Sequence, residues 1–351
     1  MSKSFSTSSL HLDEDSLHRP FKLFRPTHIA FQGSNHEDGS PVTQTQWHSR
    51  EHRKGHFPKH EYNVHHEAAM EKGESLHLRL EHLERTMKLK PKLWADISVW
   101  VAIAFTLGSV AWVVNAFFVF LPELPAWSAH LESWKTVAAA LAFVGGTLFE
   151  IGGYLMLVEA WNRGQESGWV DDLEARWRRE LDSEKGSHDS RTSEQQKPEK
   201  KPWIWWGPPN WRDIGFTAAF IQFMAASIFW VSTLTGLPGV IPKSDSVAIT
   251  DIFFWTPQVI GGTGFIISSL LLMLETQTAW YKPNFQSLGY HIGFWNLVGG
   301  TGFMLCGALG YSMDTRAVYQ SGLSTFWGSW AFLIGSILQT WEAVVQEGPE
   351  E

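Results

Sequence analysis

The stretches GGTLFEIGGYLMLVE (Gly145–Glu159), GGTGFIISSLLLMLE (Gly261–Glu275) and GSWAFLIGSILQTWE (Gly328–Glu342) decide the fold. Each opens on a pair of small residues, runs through Phe to Ile and a second small pair, passes a Leu and ends on Glu. Each lies in an apolar run about as long as the ~20 residues that cross a bilayer. In lipid such a run satisfies its backbone groups as a helix. Working outward, six spans are expected at residues 95–121, 136–160, 213–236, 252–277, 290–312 and 322–345. The odd spans carry a weaker form of the same centre: FTLGS from Phe105, FMAAS from Phe223 and FMLCG from Phe303. The expected fold is an all-α membrane protein of six transmembrane helices arranged as three repeated two-helix hairpins. Small residues seven apart (Gly146 and Gly153, Gly262 and Ser269, Ser329 and Ser336) share a helix face. Lipid supplies no hydrophobic drive between helices, so close approach along such a face is the expected means of packing.

The mean hydropathy of −0.14 looks soluble only because it averages two unlike parts. Residues 1–92 hold 14 of the 28 Lys and Arg and 12 of the 15 His, with no long apolar run. They read as a polar, largely irregular N-terminal cytosolic segment. Residues 93–162, 213–280 and 281–351 read as the three hairpins, the last with a short acidic tail, and 163–212 as a cytosolic linker. The linker's second half, rich in Ser, Gln, Glu and Lys, is expected to be disordered. This division excludes a secreted disulfide scaffold, a nucleic-acid binder and an ordinary soluble enzyme. The lone Cys306 offers neither a disulfide nor a cysteine metal cluster. No signal peptide is expected, because the first 20 residues lack an apolar core.

Lys and Arg in the connections set the orientation. The N-terminal segment, the 163–212 linker and the turn holding Lys282 carry 25, against Lys135, Lys243 and Arg316 on the other side. Both termini are therefore expected to be cytosolic. Trp94, Trp161, Trp203, Trp205, Trp206, Trp211, Trp280, Trp295 and Trp341 fall at the expected inner boundary, and Trp127, Trp134, Trp255, Trp327 and Trp330 at the outer one. Trp100, Trp112 and Trp230 lie deeper and are expected to pack against neighbouring helices.

The motifs FTLGS, FEIGG, FIISS and FLIGS give the chain a likeness to a known hairpin. It resembles the YrhK-like family of small two-helix membrane proteins over roughly residues 95–160, 213–277 and 290–345, with FMAAS departing from the pattern. The resemblance implies a fold of tandem membrane hairpins and no functional residues.

Glu150 is the sharpest candidate for chemistry. It sits near the middle of the second span on the face of Gly146 and Gly153, where a carboxylate must be protonated, paired or wet. Its counterparts are Thr106, Met224, Ile266, Met304 and Leu333, so packing does not require an acid there. It reads as a proton or cation site, or as a neutral group bonded across the bundle to Gln222, Gln258 or Asn296. Glu159, Glu275 and Glu342 would converge at the inner mouth if the hairpins pack with pseudo-threefold symmetry. They would then form an acidic ring attracting cations, or each would pair with an interfacial Lys or Arg. In WHSREHRKGHFPKHEYNVHHE (Trp47–Glu67), His48, His52, His56, His60, His65 and His66 could hold zinc through imidazole. They fit no finger spacing, and Gly55 and Pro58 argue against a continuous helix. Residues 66–90 alternate Leu with charge and read as a candidate amphipathic helix.

No P-loop, nucleophile elbow, HExxH or EF-hand pattern appears, so no enzyme is expected. The expected function is a non-catalytic membrane scaffold or adaptor embedded in the lipid bilayer, with cytosolic protein partners reached through residues 1–92. The alternative is a proton- or cation-handling transporter or channel using Glu150.

Overall fold

The computed structural model describes residues 10–11, 17–33, 44–54, 87–90, 92–162, 202–241 and 247–347. Within these residues the chain begins with four short strands, β1 (Leu10–His11), β2 (Leu17–His18), β3 (His28–Gly33) and β4 (Gln44–His48), and one short helix, α1 (Ser49–Arg53). Antiparallel pairing of β1, β2 and β4 to β3 makes a small sheet. The N-terminal segment is therefore not largely irregular where it is described. The candidate amphipathic helix falls mostly outside the described residues. Its end, Met87–Leu89, is a strand, β5, paired antiparallel with Val345–Glu347, β6, beyond the last helix. The linker residues 163–201 lie outside the described residues.

Among the described residues six long helices follow: α2 (Ile97–Phe120), α3 (Leu131–Trp161), α4 (Ile214–Thr235), α5 (Val247–Glu275), α6 (Leu288–Gly310) and α7 (Thr315–Val344). Asp96, Asp213 and Asp314 cap α2, α4 and α7 by accepting from backbone N–H groups of the first turn. In α5 one π turn, Asp251–Trp255, precedes Pro257. Pro257 lacks the N–H that would continue the regular ladder there.

Each long helix packs on the ones before and after it, and α7 packs on α2, so the six close into a ring. The small pairs straddle the seams. A Cβ on Gly145 would meet Trp112 of α2, whereas one on Gly146 would meet Thr233 of α4. A Cβ on Gly261 would meet Phe229 of α4 at 2.7 Å, and one on Gly262 the Met304 backbone of α6 at 2.7 Å. Only glycine admits helices this close.

Among the described residues, five helices are long and apolar enough to cross a membrane: α2 to α6. The 30-residue α7 is as long but more polar, because its buried face carries Ser321, Ser324, Thr325, Ser329, Ser336 and Gln339. Thr325, Ser329 and Thr340 donate to the carbonyl four residues earlier at 3.2, 2.7 and 2.9 Å, which spares the bundle unpaired hydroxyls.

Aromatic rings fill the axis of the ring. Phe149, Phe265, Phe303 and Phe332 are buried, with Phe332 centroids 5.3, 5.9 and 5.1 Å from the other three. Trp112 and Phe229 complete the tier, 4.8 and 5.4 Å from Phe303. Phe105 of FTLGS lies 5.5 Å from Phe149. Phe229 is buried within this cluster, whereas Phe223 of the divergent FMAAS is only partly buried and packs against its edge, 6.0 Å from the Tyr154 ring. Trp112 is buried as expected, and Trp230 donates to Thr147 at 3.0 Å. Trp100 corrects the expectation of deep packing: it is exposed on the outer surface and donates to the Trp94 carbonyl. Depth along a span does not fix which face a residue takes.

Candidate functional site at the terminus-bearing end

The long helices alternate in direction, so α2, α4 and α6 begin where α3, α5 and α7 end. Glu159, Glu275 and Glu342 close these three ends. A carboxylate at a helix C-terminus opposes the helix dipole and wants a cation. All three cations come from one stretch of chain, at and just after α1. The Arg50 guanidinium donates from Nε and Nη2 to the two oxygens of Glu342 at 2.7 and 2.9 Å. Arg53 donates to Glu275 through Nη2 and to the Gly215 carbonyl through Nη1 at 3.3 Å. Lys54 donates to both oxygens of Glu159 at 2.9 and 3.0 Å.

The spacing explains the fit. Residues 50, 53 and 54 lie three and four apart, the interval that puts side chains on one face of a helical turn. That face lies across the end of the ring and meets α3, α5 and α7 at once. Two glycines make room. A Cβ on Gly289 would collide with Arg50 Nε and Cδ, and one on Gly215 would stand 2.9 Å from Arg53 Nη1 and 2.5 Å from Glu275 Oε1. Ser49 donates to Glu275 at 3.1 Å and Ser98 to Glu159. Lys90 bridges Asp96 at 2.6 Å and the Lys54 carbonyl at 2.8 Å, fastening the stretch to the start of α2.

The Arg53–Glu275 side chains are 1% and 0% exposed, so this is an internal ion pair. Burial works against the Arg50 charge, but Glu342 and, farther off, Glu275 and Glu159 outweigh it and hold the guanidinium above its ordinary value. Two neighbouring histidines are driven the other way. Burial, with His48 and His18 nearby, lowers His28 to about 3, and burial lowers His52 to about 4, against the raising effects of Glu51 and Asp213 respectively. Both are neutral imidazoles in the packed layer around α1.

Inward of the cations lies a chamber of ≈ 20 Å³, measured as room for the centre of a water-sized sphere. Arg50, Arg53 and Lys54 roof it and Phe105, Phe149 and Phe332 floor it. Ser109, Gln222, Asn296, Ser336 and Gln339 are its polar walls.

Glu150 stands elsewhere. It shares the face of Gly146 and Gly153, as its spacing requires, but that face is the α3–α4 seam rather than the axis. Ser227 of α4 donates to its Oε1 at 2.8 Å, and its Oε2 is buried without a partner. Gln222 and Asn296 belong to the chamber, and Gln258 donates to Cys306 Sγ, so none of the three is Glu150's partner.

Of the histidines, His48 and His52 are described, and His56, His60, His65 and His66 lie outside the described residues. His48 pairs with Glu51 at 3.2 Å, and its ring lies 4.6 Å from that of His28. His52 packs 6.0 Å from Trp47. Among the described residues no group of three His, Cys, Asp or Glu is gathered for a metal.

Reading the sequence missed Arg50, Arg53 and Lys54 because they sit inside the histidine tract. Their signal was present: three bases at helical spacing, in number equal to the three terminal glutamates. In comparisons with known proteins, no family model, curated protein or solved structure matches the chain. The likeness to YrhK-like hairpins rests on the quoted motifs alone.

Proposed function

We propose that the chain is a non-catalytic, multi-pass membrane scaffold of six spans, with both termini on the cytosolic side and its own N-terminal segment locked across the inner mouth. The 25-to-3 distribution of Lys and Arg supports the orientation. The place of α7 between α6 and α2, with its hydroxyls bonded internally, supports the sixth span. The small pairs of α3 and α5, each facing one neighbour with the first residue and the other with the second, support tandem hairpins.

One observation carries the scaffold reading: the axis of the ring is occupied from the mouth to mid-depth. Three cations fill the mouth, and below the small chamber the rings of Trp112, Phe149, Phe229, Phe265, Phe303 and Phe332 pack edge to face. An ion crossing this tier would lose its hydration with only π faces and methyl groups in return. The bundle thus serves as a rigid mount, and the surface offered to protein partners is the small sheet and the chain around α1. A gated proton or cation path is the second reading. What favours it is that three carboxylates from three helices meet at a mouth filled by a separate segment, as a removable stopper would require.

Flux in proteoliposomes distinguishes the two. The purified full-length protein and its Glu150→Gln variant are both expected to leave H⁺, Na⁺ and K⁺ permeability at the level of empty liposomes. Flux that requires Glu150 would overturn the scaffold reading in favour of transport.

A further inference from the structure

The connection from β2 to β3 carries PFKLFRP, Pro20–Pro26. Both prolines are buried, whereas Phe21, Lys22 and Leu23 between them are exposed, Phe21 by 43% and Leu23 by 72%. The Phe24 amide donates to the Phe21 carbonyl at 3.1 Å, so these residues form the tip of a turn. From Leu17 to Gly33 the chain has Arg19, Lys22 and Arg25 and no acid. A leucine this exposed adds little to the chain's own core, and a Phe and a Leu flanking a Lys match the boundary of a bilayer, apolar on one side and charged on the other.

The turn is fastened to the bundle at two points. The Arg25 amide donates to the Arg212 carbonyl at 2.8 Å, and the Thr27 hydroxyl donates to the Gln277 carbonyl at 3.3 Å. Arg212 stands just before α4 and Gln277 just after α5, and these two helices pack on each other. The 22 residues of α4 rise about 33 Å at 1.5 Å each, close to the ~30 Å of a bilayer's hydrocarbon. Residues 211–213 therefore stand at headgroup depth once α4 crosses. Trp211 suits that depth: it is 50% exposed, and its ring lies 5.8 and 4.9 Å from those of Phe216 and Phe220 in the first turns of α4. Arg212 beside it is exposed as well. The turn thus hangs at the rim of the bundle, level with an exposed Trp and an exposed Arg.

We propose that the turn Phe21–Arg25, together with Arg212, is a binding site for an anionic phospholipid of the inner leaflet. Phe21 and Leu23 enter the interface among the upper acyl carbons, and Lys22 and Arg212 meet the charged headgroup. The apolar pair makes the ligand a lipid rather than free phosphate, and the bases make it an anionic one. Such a lipid holds the N-terminal segment to α4 and α5 from the rim, as the three ion pairs hold it at the axis. The site rests on the membrane reading above but not on the choice between scaffold and gated path.

The test uses the full-length protein with Leu23→Cys and Cys306→Ser, carrying a bimane label at position 23, in phosphatidylcholine nanodiscs of rising phosphatidylserine content. Quenching by acrylamide reads exposure to water, and quenching by a phospholipid with a nitroxide near its headgroup reads contact with the interface. As phosphatidylserine rises, acrylamide quenching is expected to fall and nitroxide quenching to rise, both saturably. Lys22→Gln is expected to raise the half-saturating phosphatidylserine fraction about fivefold. Adding Arg212→Gln is expected to leave the label open to water throughout. The same series with the label at Phe21→Cys, which restores Leu23, is expected to agree. A label open to acrylamide at every composition would leave the turn to the cytosol or to a protein partner and overturn the proposal. Equal shielding in pure phosphatidylcholine, or an unchanged response in the double variant, would overturn it as an anionic-lipid site. A folded chain that does not enter nanodiscs at all would overturn the membrane reading along with it, so the two failures are distinct.

Discussion

Removing Arg53 leaves Glu275 as an uncompensated carboxylate in a site where that side chain is 0% exposed. Breaking a buried ion pair from one side costs about 3–5 kcal/mol, chiefly the desolvation of the stranded charge. Replacing both partners by apolar groups of similar volume is close to neutral by the same reasoning. Arg53→Met should therefore weaken docking of residues 44–54 by about 3–5 kcal/mol, and Arg53→Met with Glu275→Leu should recover most of it. Hydrogen–deuterium exchange reads this directly. Within that segment the Ser49 amide is held by the Thr27 carbonyl and the Lys54 amide by the carbonyls of Arg50 and Glu51, and each ~1.4 kcal/mol is a factor of ten in opening. The single variant should accelerate exchange in this segment by about two to four powers of ten, up to the limit set by full undocking. The double variant should stay within about tenfold of the unaltered protein. A single variant that exchanges at the unaltered rate would refute the reasoning, as would a double variant as open as the single.

Further expectations rest on the same site and on the aromatic tier. Gly289→Ala drives a Cβ into Arg50 Nε and Cδ, and Gly215→Ala puts one 2.9 Å from Arg53 Nη1; each should lower thermal stability by about 1–3 kcal/mol, measured by unfolding in detergent. Undocked His28 and His52 titrate near 6.5 but when docked at about 3 and about 4. The docked form thus binds fewer protons, so docking is at full strength above about pH 6.5 and weakens as pH falls toward about 4. At about pH 5.5 the loss is about 1.4 kcal/mol per histidine, and the pH-dependent loss of docking read from exchange of residues 44–54 should be about halved in His52→Leu, with His28 supplying the remainder. Phe332→Ala removes a ring packed on Phe149, Phe265 and Phe303 and should cost about 3–5 kcal/mol in global unfolding. Glu150→Gln keeps an acceptor for Ser227 Oγ and should shift stability by less than about 1 kcal/mol, because the side-chain volume and that hydrogen bond are both preserved.

The helices were legible because length and apolarity leave a chain in lipid few alternatives, and five of them meet that test on the structure as well. The helix of residues 315–344 was legible from FLIGS and its small residues. Its weaker apolarity follows from the same hydroxyls, which bond back to their own helix. The close seams were legible at Gly146, Gly153 and Gly262, since nothing larger permits such contact. Side-chain direction was less so: Trp100 and Trp112 lie on one helix, yet one faces outward and the other the axis. The small sheet was hidden because its strands are two to six residues long, with His and Gln interrupting their few apolar residues. At the mouth, the three glutamates stood out and their partners did not. Arg50, Arg53 and Lys54 are separated from them by 292, 222 and 105 residues, and histidines crowd the same stretch. Periodicity cannot reveal such long-range pairings; matching three bases to three acids would have.

The docked segment is tested most directly by cross-linking position 54 to position 159 in intact membranes with a short bifunctional thiol reagent, in a chain carrying Lys54→Cys, Glu159→Cys and Cys306→Ser. These changes remove one ion pair whole and leave the Arg50–Glu342 and Arg53–Glu275 pairs in place. Cross-linking of most of the folded protein within one chain is the expected result. None is expected in a control that keeps Glu159 and carries Glu123→Cys instead, beyond the opposite end of α2. Absence of the 54–159 link in folded protein, or equal yield in the control, would show that the N-terminal segment does not close the ring.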